Sequence, residues 1–180
     1  MNREALEHII RAAADVSEDD EIVVVGSQAI LGQFPHAPEP LLVSQEADVY
    51  PRNRPEKAIE IDAALGDGSQ FHETFGYYAH GVGPETAKAP AGWETRLVPV
   101  RVASRSGAAG EATGWCMEAH DLVLAKCAAG RKRDWEFAKD AIRHGVVDPA
   151  ELLRRAPDLP LHSEHLNQLQ AVLDGIAGRG

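Results

Sequence analysis

Cysteine is scarce: Cys116 and Cys127 are the two in 180 residues. Two thiols cannot build a disulfide scaffold or a four-cysteine zinc site, and Cys127 falls in a helical pattern where a small buried thiol is the common role. Long apolar runs are also lacking, and nothing approaches the roughly 18 consecutive apolar residues of a membrane span. Met1 is followed by Asn2, Arg3 and Glu4 and then by an amphipathic pattern, without the apolar block of a secretory signal. A cytoplasmic protein is the expectation. Positive charge is the minority sign, with 18 Lys and Arg against 28 Asp and Glu and a net charge of -10. That excludes a broad nucleic-acid surface but not a local basic patch around one nucleotide. There is no G-x-S-x-G and no Walker lysine motif, and Gly81-Val82-Gly83 lacks the third glycine of a dinucleotide fingerprint. These gaps argue against a serine hydrolase of the elbow type, a P-loop NTPase and a dinucleotide-binding protein.

What is present suits a globular protein, 44% hydrophobic and 26% charged, long enough for one sizeable core. Leu6, Ile9, Ile10 and Ala13 recur at helical spacing after Asn2, a candidate N-cap. Ile22 to Val25 is a β-branched run that reads as a strand buried on both faces, ended by Gly26-Ser27 and followed by a short helix around Ala29 to Leu31. A loop from Phe34 to Pro40 leads into a second strand, Leu41 to Val43 and then Ala47 to Tyr50, ending at Pro51. Pro55 opens a helix that Gly66 closes. Between Phe71 and Trp93 the aromatic and glycine-rich sequence suggests strand pieces with loops, Arg96 to Val102 alternates as a strand with one wet face, and Gly107 to Gly114 reads as a hairpin-like loop. From Glu118 onward helices dominate, punctuated by Gly130, Gly145 and the Asp148-Pro149 start signal. The expected fold is α+β: a small mixed sheet flanked by helices over residues 1–117, and a C-terminal helical region, 118–180, packed on it as one structural domain.

The sequence places its chemistry at a strand end. Gly26 and Ser27 close a buried strand, and the next strand carries two acids one residue apart, Glu46 and Asp48. Strand alternation puts both carboxylates on one face. Carboxylates held that way beside a turn can bind a hard cation such as Mg²⁺ and the triphosphate it bridges. The rival reading is a turn glycine and a strand whose outer face happens to be acidic. His162 and His165 lack the neighbours of a zinc motif and read as surface residues. His72 and His80 can line the cleft, although surface or core roles are commoner. Tyr77, Tyr78 and Trp93 can stack on a base or pack the core.

The strand ending in Gly26-Ser27, the short helix and the strand bearing Glu46-Ala47-Asp48 together resemble the nucleotidyltransferase fold of the DNA polymerase beta superfamily. Residues 121–152, DLVLAKCAAGRKRDWEFAKDAIRHGVVDPAEL, resemble minimal nucleotidyltransferases of the AbiEii toxin type and their uncharacterised relatives, as do GVGPET at 81–86 and GWETRL at 92–97. The similarity spans most of residues 20–155. It implies that a lysine on one helix and an Arg-Asp pair opening the next complete the site; Lys126, Arg133 and Asp134 match those positions. Three departures stand out, the first being an interval from Ser27 to Glu46 longer than such families usually show. Glu46 takes a place where aspartate is common, and the later strand RLVPVRV carries no third carboxylate.

The resemblance implies Gly26, Ser27, Lys126 and Arg133 on the nucleotide, Glu46 and Asp48 on Mg²⁺, and Asp48, Lys126 and Asp134 as catalytic residues. Asp134 would orient Lys126 or serve as a base. The expected reaction moves NMP from an NTP to a hydroxyl of an RNA end, a protein or a small molecule. The alternative is a catalytically degenerate module that binds a partner protein, such as one half of a toxin–antitoxin pair.

Overall fold

The computed structural model describes residues 1–103 and 110–178. Helix α1 (Arg3–Ser17) follows Asn2, whose side chain accepts the Ala5 N–H at 2.9 Å and so satisfies one of the unpaired donors of the first turn. Its stripe of Leu6, Ile9, Ile10 and Ala13 has no solvent exposure, and the helix lies across every strand of one sheet. Strand β1 (Glu21–Val25) is the centre of that sheet, which explains a run of four β-branched residues with no polar side.

The other strands are β2 (Glu46–Pro51), β3 (Tyr78–Gly81), β4 (Val98–Ala103) and β5 (Glu111–Cys116), in the spatial order β3-β2-β1-β5-β4. Strand β1 runs antiparallel to β2 and parallel to β5, β2 is parallel to β3, and β4 is antiparallel to β5. The fold is therefore α+β with a mixed five-stranded sheet, as the sequence patterns suggest. Helix α2 (Ile30–Gln33) follows β1 after a 3₁₀ turn, and α3 (Ala58–Leu65) follows a 3₁₀ turn that begins at Pro55.

Three segments differ from expectation. Residues 41–43 are not strand: Glu39–Leu41 form a 3₁₀ turn, because Pro38 and Pro40 fix φ and withhold two N–H donors. Val43 is left largely exposed. In the aromatic stretch, Gln70–Phe75 form helix α4, capped by the Ser69 hydroxyl, which accepts the His72 N–H at 3.2 Å. Only β3 is a strand piece there. Residues 111–114 belong to β5 and not to a loop, while 107–109 of the expected hairpin loop lie outside the described residues. A Cβ at Gly114 would sit 2.3 Å from Ile10 Cδ1, so this strand carries glycine where α1 presses on the sheet.

After β5 come α5 (Ala119–Ala129), α6 (Lys132–Arg143), α7 (Pro149–Arg155) and α8 (Ser163–Ala177). The Glu118 carboxylate caps α5 by accepting N–H bonds from His120 and Asp121. Asp121 itself is fully buried and is gripped by Arg96, at 2.7 and 3.0 Å, and by Arg155 of α7 at 3.1 Å. That cluster ties the turn before β4 to the helical region. His120 Nε2 accepts the Asp148 N–H at 2.9 Å, so its Nδ1 carries the proton donated to Glu118.

Candidate functional site

Strand β1 ends where Gly26 takes φ +68° and ψ −175°, a region open in practice to glycine alone. A Cβ there would fall 1.9 Å from Asp48 Oδ2 and 2.9 Å from its Cγ. Glycine is thus required twice, by the backbone and by the carboxylate seated against it. Ser27 begins the 3₁₀ turn at once, which leaves it at the mouth of the strand end.

Over the first four residues of β2 the alternation holds, before Tyr50 and Pro51 are both buried. Ala47 and Val49 have no exposure, and Glu46 and Asp48 project from the opposite face. The ladder pairs Val25 with Asp48 on one side, and Asp48 with His80 and Glu46 with Tyr78 on the other. His80 Nδ1 accordingly lies 2.9 Å from Glu46 Oε1 and 3.0 Å from Asp48 Oδ1. The Tyr78 hydroxyl donates to Glu46 Oε2 at 3.2 Å. Ligand atoms of Glu46, Asp48 and His80 all lie within 4.8 Å of one another, the grouping among the described residues suited to a metal ion. Burial, followed by the charge of Glu46, raises the Asp48 carboxyl above its ordinary value. Burial alone would lower His80, but its hydrogen bond to Asp48 and the charges of both carboxylates outweigh that and raise it.

The facing wall comes from α5 and α6. Gly130, at φ +71°, ends α5 in a left-handed cap, and the chain turns sharply enough to bring Lys126 and Asp134 to 3.4 Å. Asp134 is fully buried, and Arg131 Nε holds its other oxygen at 2.7 Å. The Lys126 ammonium lies 4.9 Å from the centre of the Phe137 ring. Burial lowers the Lys126 pKa, and the carboxylate of Asp134 offsets part of that effect. For Asp134, burial favours the neutral acid, but Arg131 and Lys126 overcome it and hold the carboxyl low.

Between these walls runs a cleft of about 760 Å³, lined by Gly26, Ser27, Glu46, Asp48, Lys126 and Arg133, with His80 and Arg131 beside them. Of the residues singled out in the sequence, Asp134 does not line it; the side chain lies beneath, behind Lys126. Its carboxylate is held there by Lys126 and Arg131. His80, which the sequence allowed in the cleft, does line it, as does Arg131 of the basic cluster, while Tyr78 stands behind Glu46 and does not reach the cleft. The signal for His80 and Tyr78 was the alternation Tyr78-Ala79-His80, which matches Glu46-Ala47-Asp48 once β2 and β3 are known to pair. Tyr77 packs with His8, Phe71 and Phe75, Trp93 is buried, and His162 and His165 are exposed at the start of α8, so none of these forms the cleft. Both cysteines are buried, and burial pushes each thiol up to about 12, which removes them as nucleophiles at neutral pH.

Fold and site together define a class, a mixed α+β sheet whose paired acids face Lys126, Arg131 and Arg133 across one cleft. The chain belongs to the family described as nucleotidyltransferase of unknown function (DUF6036), whose model matches residues 4–166. Comparisons with curated proteins and with solved structures give no match. Among the described residues, no helix is long and apolar enough to cross a membrane.

Proposed function

We propose that this chain transfers a nucleoside monophosphate from an NTP to an acceptor hydroxyl with Mg²⁺, in the manner of the minimal AbiEii-type nucleotidyltransferases of the DNA polymerase beta superfamily that it resembles. The observation that supports this reading is the convergence on one cleft of the Gly26 turn, the paired carboxylates of Glu46 and Asp48, and the cationic side chains of Lys88, Lys126, Arg131 and Arg133, with Glu136 and Asp140 also on its lining. The donor set fits a hard cation: carboxylate oxygens of Glu46 and Asp48 on one strand face, with Asp48 seated on the backbone at Gly26. A cation held by Glu46 and Asp48 would offset the negative charge that builds on the phosphates in the transition state.

The chain's own residues supply position and charge. Gly26 lets phosphates approach the backbone, and Ser27 offers a hydroxyl beside them. Lys126 neutralises phosphate charge, steadied by Asp134, whose second oxygen is tied to Arg131. Arg133 adds charge at the same wall. The acceptor hydroxyl gives up its proton to solvent as its oxygen attacks the α-phosphorus in line; the new O–P bond forms as the bridging bond to the β-phosphate breaks, and pyrophosphate leaves. Pre-positioning of these groups carries most of the rate. The acceptor is an RNA end, a protein or a small molecule, with Arg131 and Arg133 as the local contacts for an RNA end in an otherwise acidic protein.

Calorimetric titration of the four NTPs, with and without Mg²⁺, tests this on wild type and Asp48→Ala. Mg²⁺-dependent binding that the variant loses is the expected result. Equal silence from both proteins would refute the transferase reading and leave a non-catalytic module that binds a partner protein, as in a toxin–antitoxin pair.

A further inference from the structure

Glu46 and Asp48 do not face the cleft alone. His80 reaches the same point from the neighbouring strand, and its place is set by main-chain pairing, since Asp48 and His80 are register partners in the parallel β2–β3 ladder. We infer that His80 is a third metal ligand and that its imidazole makes this centre one for Mn²⁺ in preference to Mg²⁺. The inference rests on the transferase reading in one respect, that a divalent cation binds at Glu46 and Asp48.

Three observations support it. First, the spacing suits coordination. Adjacent ligands of an octahedral ion with bonds of about 2.1 Å are about 3.0 Å apart, and His80 Nδ1 lies 2.9 Å from Glu46 Oε1 and 3.0 Å from Asp48 Oδ1. Secondly, Glu46 is oriented from outside: Tyr78 donates to Oε2, which leaves Oε1 turned toward His80 and Asp48. Outer-shell hydrogen bonds of that kind fix the ligand lone pair in metal centres. Thirdly, the His80 side chain is 49% exposed, so core packing does not account for its position. It sits on the cleft wall with Nδ1 turned to both acids. The donor type then decides the ion. Mg²⁺ favours oxygen and retains its waters, whereas first-row divalent ions accept imidazole nitrogen more readily, and Mn²⁺ is the one among them that also suits carboxylate oxygens.

The test uses the full chain stripped with a chelator, as wild type, His80→Gln and His80→Asp, each checked for folding by circular dichroism and melting. Mn²⁺ and Mg²⁺ are titrated separately by calorimetry, and the Mn²⁺-loaded proteins are examined by pulsed electron paramagnetic resonance for modulation from a coordinated ¹⁴N nucleus. The expected result is ¹⁴N modulation in wild type and none in either variant. Mn²⁺ affinity falls on the order of 10- to 100-fold in His80→Gln, and the ratio of Mn²⁺ to Mg²⁺ affinity drops by about tenfold in His80→Asp, where all donors are oxygen. If Mn²⁺ binds wild type without ¹⁴N modulation and His80→Gln binds it equally well, His80 is only a hydrogen-bond donor to the acids. The inference then falls, and the transferase reading stands. If no cation binds wild type, with or without NTP, both fall.

Discussion

Replacing Gly26 with alanine tests the seat of the site directly. The backbone at φ +68° and ψ −175° is strained for any residue with a Cβ, at about 1–3 kcal/mol. The new methyl would also stand 1.9 Å from Asp48 Oδ2, where ordinary contact begins near 3.4 Å, so the carboxylate must move by about 1.5 Å. That displacement pulls Asp48 from its 3.0 Å bond to His80 and away from Glu46. Gly76→Ala is the control for a positive φ without crowding: its backbone is left-handed, at φ +74° and ψ 11°, and a Cβ there meets nothing within 4 Å. Scanning calorimetry and NTP titration with a divalent cation separate the two effects. Both variants melt lower, by roughly 2–4 °C for each kcal/mol in a chain of this length. Only Gly26→Ala loses cation-dependent NTP binding, on the order of 10- to 100-fold. Wild-type binding by Gly26→Ala, or equal loss in both variants, would show that the contact between Gly26 and Asp48 does not organise the site.

Asp134→Ala leaves Lys126 without its partner at a site 15% exposed and lowers stability by about 3 kcal/mol, while Lys126→Met, which leaves the Arg131 bond intact, costs about 1 kcal/mol. Chemical denaturation reads both, and equal losses would refute the assignment of Asp134 as the buried anchor. The Glu118 carboxyl is lowered from 4.5, because His120 and Arg155 outweigh the opposing effect of burial. Its folded pKa lies below the unfolded one, so its stabilisation is complete above about pH 4.5 and is lost as the pH falls further. Melting temperature should therefore drop more steeply below that pH in wild type than in Glu118→Gln, and parallel acid limbs would contradict this. Gly114→Ala drives a methyl into Ile10 and lowers stability by about 1–3 kcal/mol, which thermal melting detects; an unchanged midpoint would mean that α1 is not packed tightly there.

The parts of this fold legible in the sequence are those specified locally. The Ile22–Val25 run announces a central strand, and Asn2, Gly130 and Asp148-Pro149 mark helix ends through short-range hydrogen bonds and backbone preference. Strand β5 was hidden because Gly114 and the small residues near it look like a loop, and only the pressure of Ile10 from α1 explains them. Helix α4 has six residues and no buried side chain, too little periodicity to read. The pair Leu41–Leu42 looks strand-like until the flanking prolines are weighed as constraints on φ. In the site, Gly26, Ser27, Glu46, Asp48 and Lys126 fall within short recognisable patterns. His80 reaches Asp48 only through a parallel pairing 32 positions away, which no local pattern encodes.

The order of the strands also sets a timetable for a chain leaving the ribosome. Strand β1 meets its antiparallel neighbour β2 about twenty-five residues later, but its other neighbour, β5, is not made until residues 111–116. Through that interval the Ile-Val-Val-Val segment offers a bare, uncharged row of amide and carbonyl groups, the feature that seeds strand addition between chains. Joining it to β5 closes one of the longest loops in the molecule, a slow step by its topology. Rapid synthesis at high concentration therefore favours inclusion bodies over native protein, and slower production in the cold gives β5 time to reach its own β1 first.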